Sequence, residues 1–182
     1  MRRLIPLLLP LAGLLYPFVL YFGMGKVSPL VFALVLGAIW LIRAPSLWRE
    51  PGGRWMIGVA LSYCALLTFS GESILLRWYP VLINALLLTV FSISLIRGQP
   101  FIERIARLRE PDLPPAAVRY TRVVTQVWAV FFGLSGATSA ALTLWGSLAW
   151  WTLYNGLISY LLVGTLFSVE WLIRQRVRRR LA

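Results

Sequence analysis

The sequence predicts an all-α polytopic membrane protein, with about six transmembrane helices and a short cytoplasmic amphipathic helix between the fourth and fifth. Three observations predict it. Apolar runs recur that approach the ~20 residues a helix needs to cross the hydrocarbon core of a bilayer. Only 13% of the 182 residues are charged and 59% are hydrophobic, whereas a soluble domain carries roughly a quarter charged. The basic residues fall almost wholly between alternate pairs of apolar runs, the bias expected of cytoplasmic loops.

The first helix is expected over 4–24. Met1, Arg2 and Arg3 precede LIPLLLPLAGLLYPFVLYF, which begins like a signal peptide. The run continues past the usual length, and no small-x-small cleavage site follows, so it reads as a retained span. Pro6, Pro10 and Pro17 should kink it, leaving carbonyls that neighbouring helices or water must cover. A turn at Gly23, Gly25, Ser28 and Pro29 leads to a second helix over 29–42, which closes on Trp40 and Arg43 at an interface. The stretch RAPSLWREPGGR, with Pro45, Pro51, Gly52 and Gly53, breaks the chain before a third helix over 55–70. Gly71, Glu72 and Ser73 open a loop held near the membrane by Ile74, Leu75 and Leu76. Arg77, Trp78, Tyr79 and Pro80 then start the fourth helix, 79–96, with proline in the first turn, where its missing N–H matters least.

Between Arg97 and Arg122 lies RGQPFIERIARLREPDLPPAAVRYTR, the longest polar interval in the chain. It holds Arg97, Arg104, Arg107, Arg109, Arg119 and Arg122, and half of the six acids: Glu103, Glu110 and Asp112. Residues 97–119 are expected to form a cytoplasmic interfacial segment. Phe101, Ile102, Ile105 and Leu108 recur at helical spacing, with Glu103, Arg104, Arg107 and Glu110 on the other side. That pattern suits a short helix lying in the headgroup layer, apolar face down. Pro111, Pro114 and Pro115 stop it. A fifth helix over 120–144, an aromatic turn from Trp145 to Trp151 and a sixth helix over 149–173 follow, and RQRVRRR closes the chain. With the N-terminus in the cytoplasm, every one of the 18 basic residues except Lys26 and Arg77 falls on that side. Both termini are therefore expected in the cytoplasm, and 1–182 is expected to be one membrane domain.

The net charge of +12 is the ordinary signature of such loops, and no soluble basic domain is present to bind nucleic acid. The absence of histidine and the single Cys64 exclude a Ser–His–Asp triad, a Cys–His pair, a two-His metal site and an intrachain disulfide. No glycine-rich phosphate loop occurs. No catalytic, cofactor-binding or metal-binding residue is assigned, and no cofactor is expected. Candidate docking residues for lipid headgroups or an acidic partner are Arg104, Arg107, Arg109, Arg119 and Arg122. Candidate intramembrane polar residues are Asn84, Gln126, Asn155 and Glu170, since polar groups within spans carry function or bind other helices. Glu170, four residues before Arg174, also fits a plain interfacial ion pair. Small residues four apart, Gly133 with Ala137 and Gly136 with Ala140, suit close helix packing better than a substrate groove.

The run IERIARLREPDLPPAAVRYTRVVTQVWAVFF, with LYNGLISYLLVGTLFSVEWLIR later, resembles a family of small bacterial membrane proteins encoded in aryl-polyene and xanthomonadin-type pigment clusters. The likeness covers Gln99 to Arg174, and REPDLPP followed by VRYTR is its most distinctive part. The resemblance implies a Gram-negative inner membrane and a pathway whose intermediates ride on acyl carrier proteins. It transfers no reaction and no catalytic residue. Acyl carrier proteins are small and acidic, and an arginine-rich face complements them electrostatically. The leading expectation is a non-enzymatic accessory or scaffold protein that docks such partners, or the synthesis enzymes, at the membrane. A small transporter or flippase component for an acylated lipid or pigment is the alternative, with Asn84, Gln126 and Asn155 facing one cavity. A membrane acyltransferase, using Glu72 or Glu170, comes third.

Overall fold

The computed structural model describes residues 21, 28–48, 53–108 and 110–181. The helix expected over 4–24 lies outside the described residues, apart from Tyr21. Every regular element among the described residues is helical, with no strand.

Helix α1 spans Pro29–Leu47 and is capped by Ser28, whose hydroxyl accepts from the Val31 N–H at 3.4 Å. It outruns the expected end at 42 because Pro45 falls in the last turn, where losing one backbone bond does not unwind the helix. Helix α2, Gly53–Ser70, packs along α1. Gly71 ends it in the left-handed region, at φ +63, where a side chain would be strained. A single turn, α3 (Ser73–Leu76), precedes α4, Tyr79–Ile96, which has Pro80 in its first turn as the sequence suggests.

Gly98, at φ +95, redirects the chain from α4 into the short α5, Phe101–Arg107. Helix α6 is the longest, Pro115–Leu144. It starts at Pro115 rather than at the expected Tyr120, since proline's fixed φ suits a first helical position. The interfacial segment therefore ends at 114, and Arg119 is a helical residue. Ser147 caps α7, Leu148–Leu153, by accepting from the Trp150 N–H at 3.3 Å. A π-helical turn, Tyr154–Ile158, then runs directly into α8, Ser159–Leu181.

Among the described residues, three stretches are long and apolar enough to cross a membrane: Ile74–Ile96 (23 residues), Pro115–Leu144 (30 residues) and Leu148–Arg176 (29 residues). Helix α1 carries a shorter apolar stretch, Leu30–Ile42. Many of the chain's large apolar side chains point outward, among them Leu34, Ile42, Phe69, Val130, Leu134 and Leu161. In water such a surface would aggregate; against lipid tails it is the stable arrangement.

Two buried clusters hold the helices together. One gathers Phe91 of α4 with Val124, Trp128, Ala129 and Phe132 of α6. Phe167 of α8 joins it, its ring 4.6 Å from that of Trp128. The other centres on Trp151, which is 0% exposed and packs with Ala33 of α1, Leu67 of α2 and Leu76 of α3. That second cluster ties the α1–α2 pair to the rest. Helix α4 packs chiefly on α6. At Gly136 the two come so close that an added Cβ would lie 3.1 Å from the Asn84 Cβ. The small-residue face of α6 thus serves packing through Gly133 and Gly136, while Ala137 is exposed.

Candidate functional site

The arginines of the central segment collect at one end of the bundle. Arg122 Nη2 on α6 donates to the Leu95 carbonyl near the end of α4, at 3.2 Å. The Tyr120 hydroxyl donates to the Glu170 carbonyl on α8, at 3.2 Å, and Glu170 is ion-paired with Arg174 at 3.1 Å. These bonds bring the ends of α4 and α8 to the start of α6. Arg97, Arg104, Arg107, Arg119, Arg122, Arg174 and Arg176 accordingly surround the same end.

The arginines there divide into two kinds. Arg104 Nε donates to the Gln99 carbonyl at 3.1 Å. Arg107 Nε meets Glu103 Oε1 at 2.8 Å, and its Nη1 donates to the Pro111 carbonyl at 2.7 Å. These two, with Arg122, brace the fold of the segment. Arg97, Arg119 and Arg176 are exposed, and Arg109 lies outside the described residues.

Helix α5 departs from the expected pattern on its polar side. Its first turn is pinned by the Phe101 N–H donating to Ser94 Oγ at 3.0 Å and the Ile102 N–H donating to Thr125 Oγ1 at 3.3 Å. The Phe101 ring stacks 4.6 Å from Phe91. This anchoring turns Glu103 inward, where it is 4% exposed, and leaves Ile105 and Leu108 exposed. The Glu103–Arg107 pair expected on an open polar face is therefore partly buried, with the carboxylate side chain the more enclosed partner.

The second feature is a cavity of about 250 Å³ between α4, α6 and the π turn. Asn84, Ser135, Asn155, Ser159, Tyr79 and Tyr160 are the polar residues of its lining, and Ile83, Leu87, Phe131, Phe132 and Val163 supply apolar walls. Asn155 is held from both ends: Ser139 Oγ donates to its Oδ1 at 2.7 Å, and its Nδ2 donates to the Trp151 carbonyl at 2.9 Å. Asn84 Nδ2 donates to the Pro80 carbonyl of its own helix at 2.8 Å. Two of the three uncharged polar residues expected to share a cavity therefore do so. Gln126 does not: it lies on the exposed side of α6, away from the cavity lining. Ser135 and the π turn have no strong signature in sequence, since serine is ordinary in membrane helices.

At the end opposite the arginine cluster, Arg77 has a role the sequence did not announce. Its Nη2 donates to the carbonyls of Leu142 and Gly146, at 2.7 and 2.9 Å, capping the C-terminus of α6. Its own carbonyl accepts from Thr143 Oγ1 at 3.0 Å and from Trp151 Nε1 at 3.1 Å. Glu72, the other acid weighed for catalysis, is exposed, while Glu170 is occupied by Arg174 and Tyr120.

The long apolar helices, their outward apolar side chains and the charge gathered at one end define a helical membrane protein. Compared with known proteins, the chain matches no family model, no curated relative and no solved structure.

Proposed function

We propose that this protein is a non-enzymatic accessory protein of a bacterial inner membrane, which recruits an acidic soluble partner to its arginine-rich end. In this reading six helices form one membrane domain, residues 4–24 supplying the first, and both termini lie in the cytoplasm. The partner is an acyl carrier protein, or an enzyme that uses one, from a pigment or lipid pathway.

The observation that carries the reading is the one-sidedness of charge. Seven described arginines surround one end of the bundle, and Arg77 at the other end is turned into backbone carbonyls. Arginine-rich loops follow the cytoplasm, and a face of one sign speeds encounter with a partner of the other. Anionic lipid headgroups are held by the same charges, at about 1 kcal/mol each near the surface.

The docking test uses arginines that do not brace the fold. Arg97→Glu, Arg119→Glu and Arg176→Glu, combined in a C-terminally tagged chain, should insert normally. After mild-detergent extraction at low salt, the wild type should retain an acidic carrier or synthase subunit that the triple variant loses. Equal recovery from both would sink the docking reading.

A second reading, a small transporter or flippase component for an acylated product, draws support from the cavity shared by Asn84 and Asn155. Reconstituted protein should then translocate a fluorescent uncharged glycolipid across vesicles, and Asn155→Leu should stop it. Vesicles no faster than protein-free controls would discard this reading.

A further inference from the structure

The geometry points to the cavity between α4, α6 and the π turn as the binding site of an uncharged amphiphile with a hydroxyl head, entering sideways from the bilayer. This names a ligand class for the cavity on which the transport reading rests. It holds whether or not the ligand is carried across.

The polar atoms left over at the wall set the chemistry. Asn84 uses its Nδ2 on the Pro80 carbonyl, and no described donor reaches its Oδ1. Ser135 is buried, at 4% exposure, and among the described residues its one hydrogen-bond contact is the Tyr154 hydroxyl at 3.4 Å. Thr121, Thr125 and Thr138 on the same helix all return their hydroxyl protons to backbone carbonyls one turn back. Ser135 does not. An unmet acceptor and an uncommitted hydroxyl therefore border one space in the low-dielectric interior, where unmet polar groups are costly. A hydroxyl satisfies both, since it donates and accepts at once.

Charge and shape narrow the class further. Among the described residues no Asp, Glu, Lys or Arg lines the cavity, so an ionised head would be buried without a partner. The rest of the wall is mainly aromatic and aliphatic, and its two tyrosines, Tyr79 and Tyr160, are neutral like the other polar groups of the lining. The cavity, at about 250 Å³, falls below the roughly 300–1,000 Å³ that encloses a drug-sized ligand. It takes a head and the first carbons of a chain whose remainder stays in the lipid. The exposed lining residue, Tyr160, sits within the stretch Leu148–Arg176, so the mouth opens where hydrocarbon would be rather than water.

The local backbone makes room for this. The π turn, Tyr154–Ile158, widens the helix where Asn155 projects inward, and Ser159 Oγ donates to the Asn155 carbonyl at 3.1 Å to cover the displaced backbone. π turns of this kind recur at functional sites. Gly136 lets Asn84 reach the same level of α6.

The test is photolabelling of the full chain in lipid nanodiscs, with hexadecanol carrying a diazirine close to its hydroxyl. Hexadecane and hexadecylammonium bearing the same group serve as comparison arms, and labelled residues are read by mass spectrometry. The alcohol should label Phe131, Phe132, Tyr160 and Val163 about fivefold more than the alkane, the worth of one neutral hydrogen bond. Ser135→Ala and Asn84→Leu should each remove most of that preference in protein that still unfolds cooperatively. Ser135→Ala is the milder change and decides the matter if Asn84→Leu does not fold. Equal labelling by alkane or ammonium, label scattered over the outward face at Leu161 and Leu162, or a preference unchanged in Ser135→Ala would each overturn the site. Cavity labelling without lipid translocation would sink the transport reading alone, whereas translocation without cavity labelling would overturn the site and leave transport standing.

Discussion

At the residue scale, Arg77 and Trp151 carry more of the fold than their positions in the sequence suggest. Arg77 caps the last turn of α6 through two carbonyls, and Trp151 donates its indole N–H to the Arg77 carbonyl and to Thr143 Oγ1, both at 3.1 Å. Replacing Arg77 with glutamine removes a charge-assisted cap and leaves helix carbonyls unmet, a loss of about 3 kcal/mol. A clear fall in thermal unfolding temperature in detergent is expected, and an unchanged midpoint would contradict the capping role. Trp151→Phe keeps most of the ring but loses the donor, about 1 kcal/mol. Trp151→Ala also empties the space between α1, α2 and α3, and should cost roughly 3–5 kcal/mol. The order of the two midpoints separates hydrogen bonding from packing. None of this was visible in the sequence, where Arg77 reads as one basic residue beside an interfacial Trp78 and Tyr79. Its partners lie far along the chain, and no local pattern marks them.

At the scale of elements, the closest approach is between α4 and α6. Gly136→Val would drive side-chain carbons into Asn84, where a Cβ alone would already stand at 3.1 Å. Destabilisation of roughly 1–3 kcal/mol is expected, measured by the same unfolding assay. Tolerance of valine there would mean that the helices can part without penalty. The π turn invites a different change. Deleting Leu157 should convert Tyr154–Ile158 to ordinary α-helix and rotate Asn155 away from Ser139. Cysteines at 139 and 155, which should cross-link in the parent background, should fail to do so in the deletion. Helix existence was legible from apolar runs and proline punctuation, and Tyr79–Ile96 begins and ends where Pro80 and Arg97 suggest. The facing of α5 was not legible. Periodicity set Glu103 on the open polar side, but the anchors at Ser94 and Thr125 come from other helices and turn it inward, while Ile105 and Leu108 stay exposed. Gln126 was misjudged for a related reason: composition gives depth along a helix, not azimuth around it.

At the scale of the whole molecule, the decisive property is polarity between its two ends. One end bears Arg97, Arg119, Arg122, Arg174 and Arg176 around Tyr120 and Glu170, and the other bears Trp145 and Trp150 near the Arg77 cap. If the basic end faces the cytoplasm, Arg176→Cys in a Cys64→Ser background should react with a membrane-impermeant maleimide in inverted vesicles and not in spheroplasts. Trp145→Cys should show the reverse. Reaction of both from one side would break the charge-based orientation. This alternation of charge was the strongest global signal in the sequence, because it depends on counts between runs and not on any contact.

The Arg77 cap also bears on how the chain is made. Its acceptors, Leu142 and Gly146, lie 65 and 69 residues further on. While α4 is being threaded into the bilayer, those carbonyls have not yet been synthesised, and the guanidinium must stay at the water boundary. Only when the end of α6 arrives can the cation settle and the Trp151 cluster close over it. A chain halted before the end of α6 therefore lacks the carbonyls that hold this cation and the Trp151 that closes the cluster beside it.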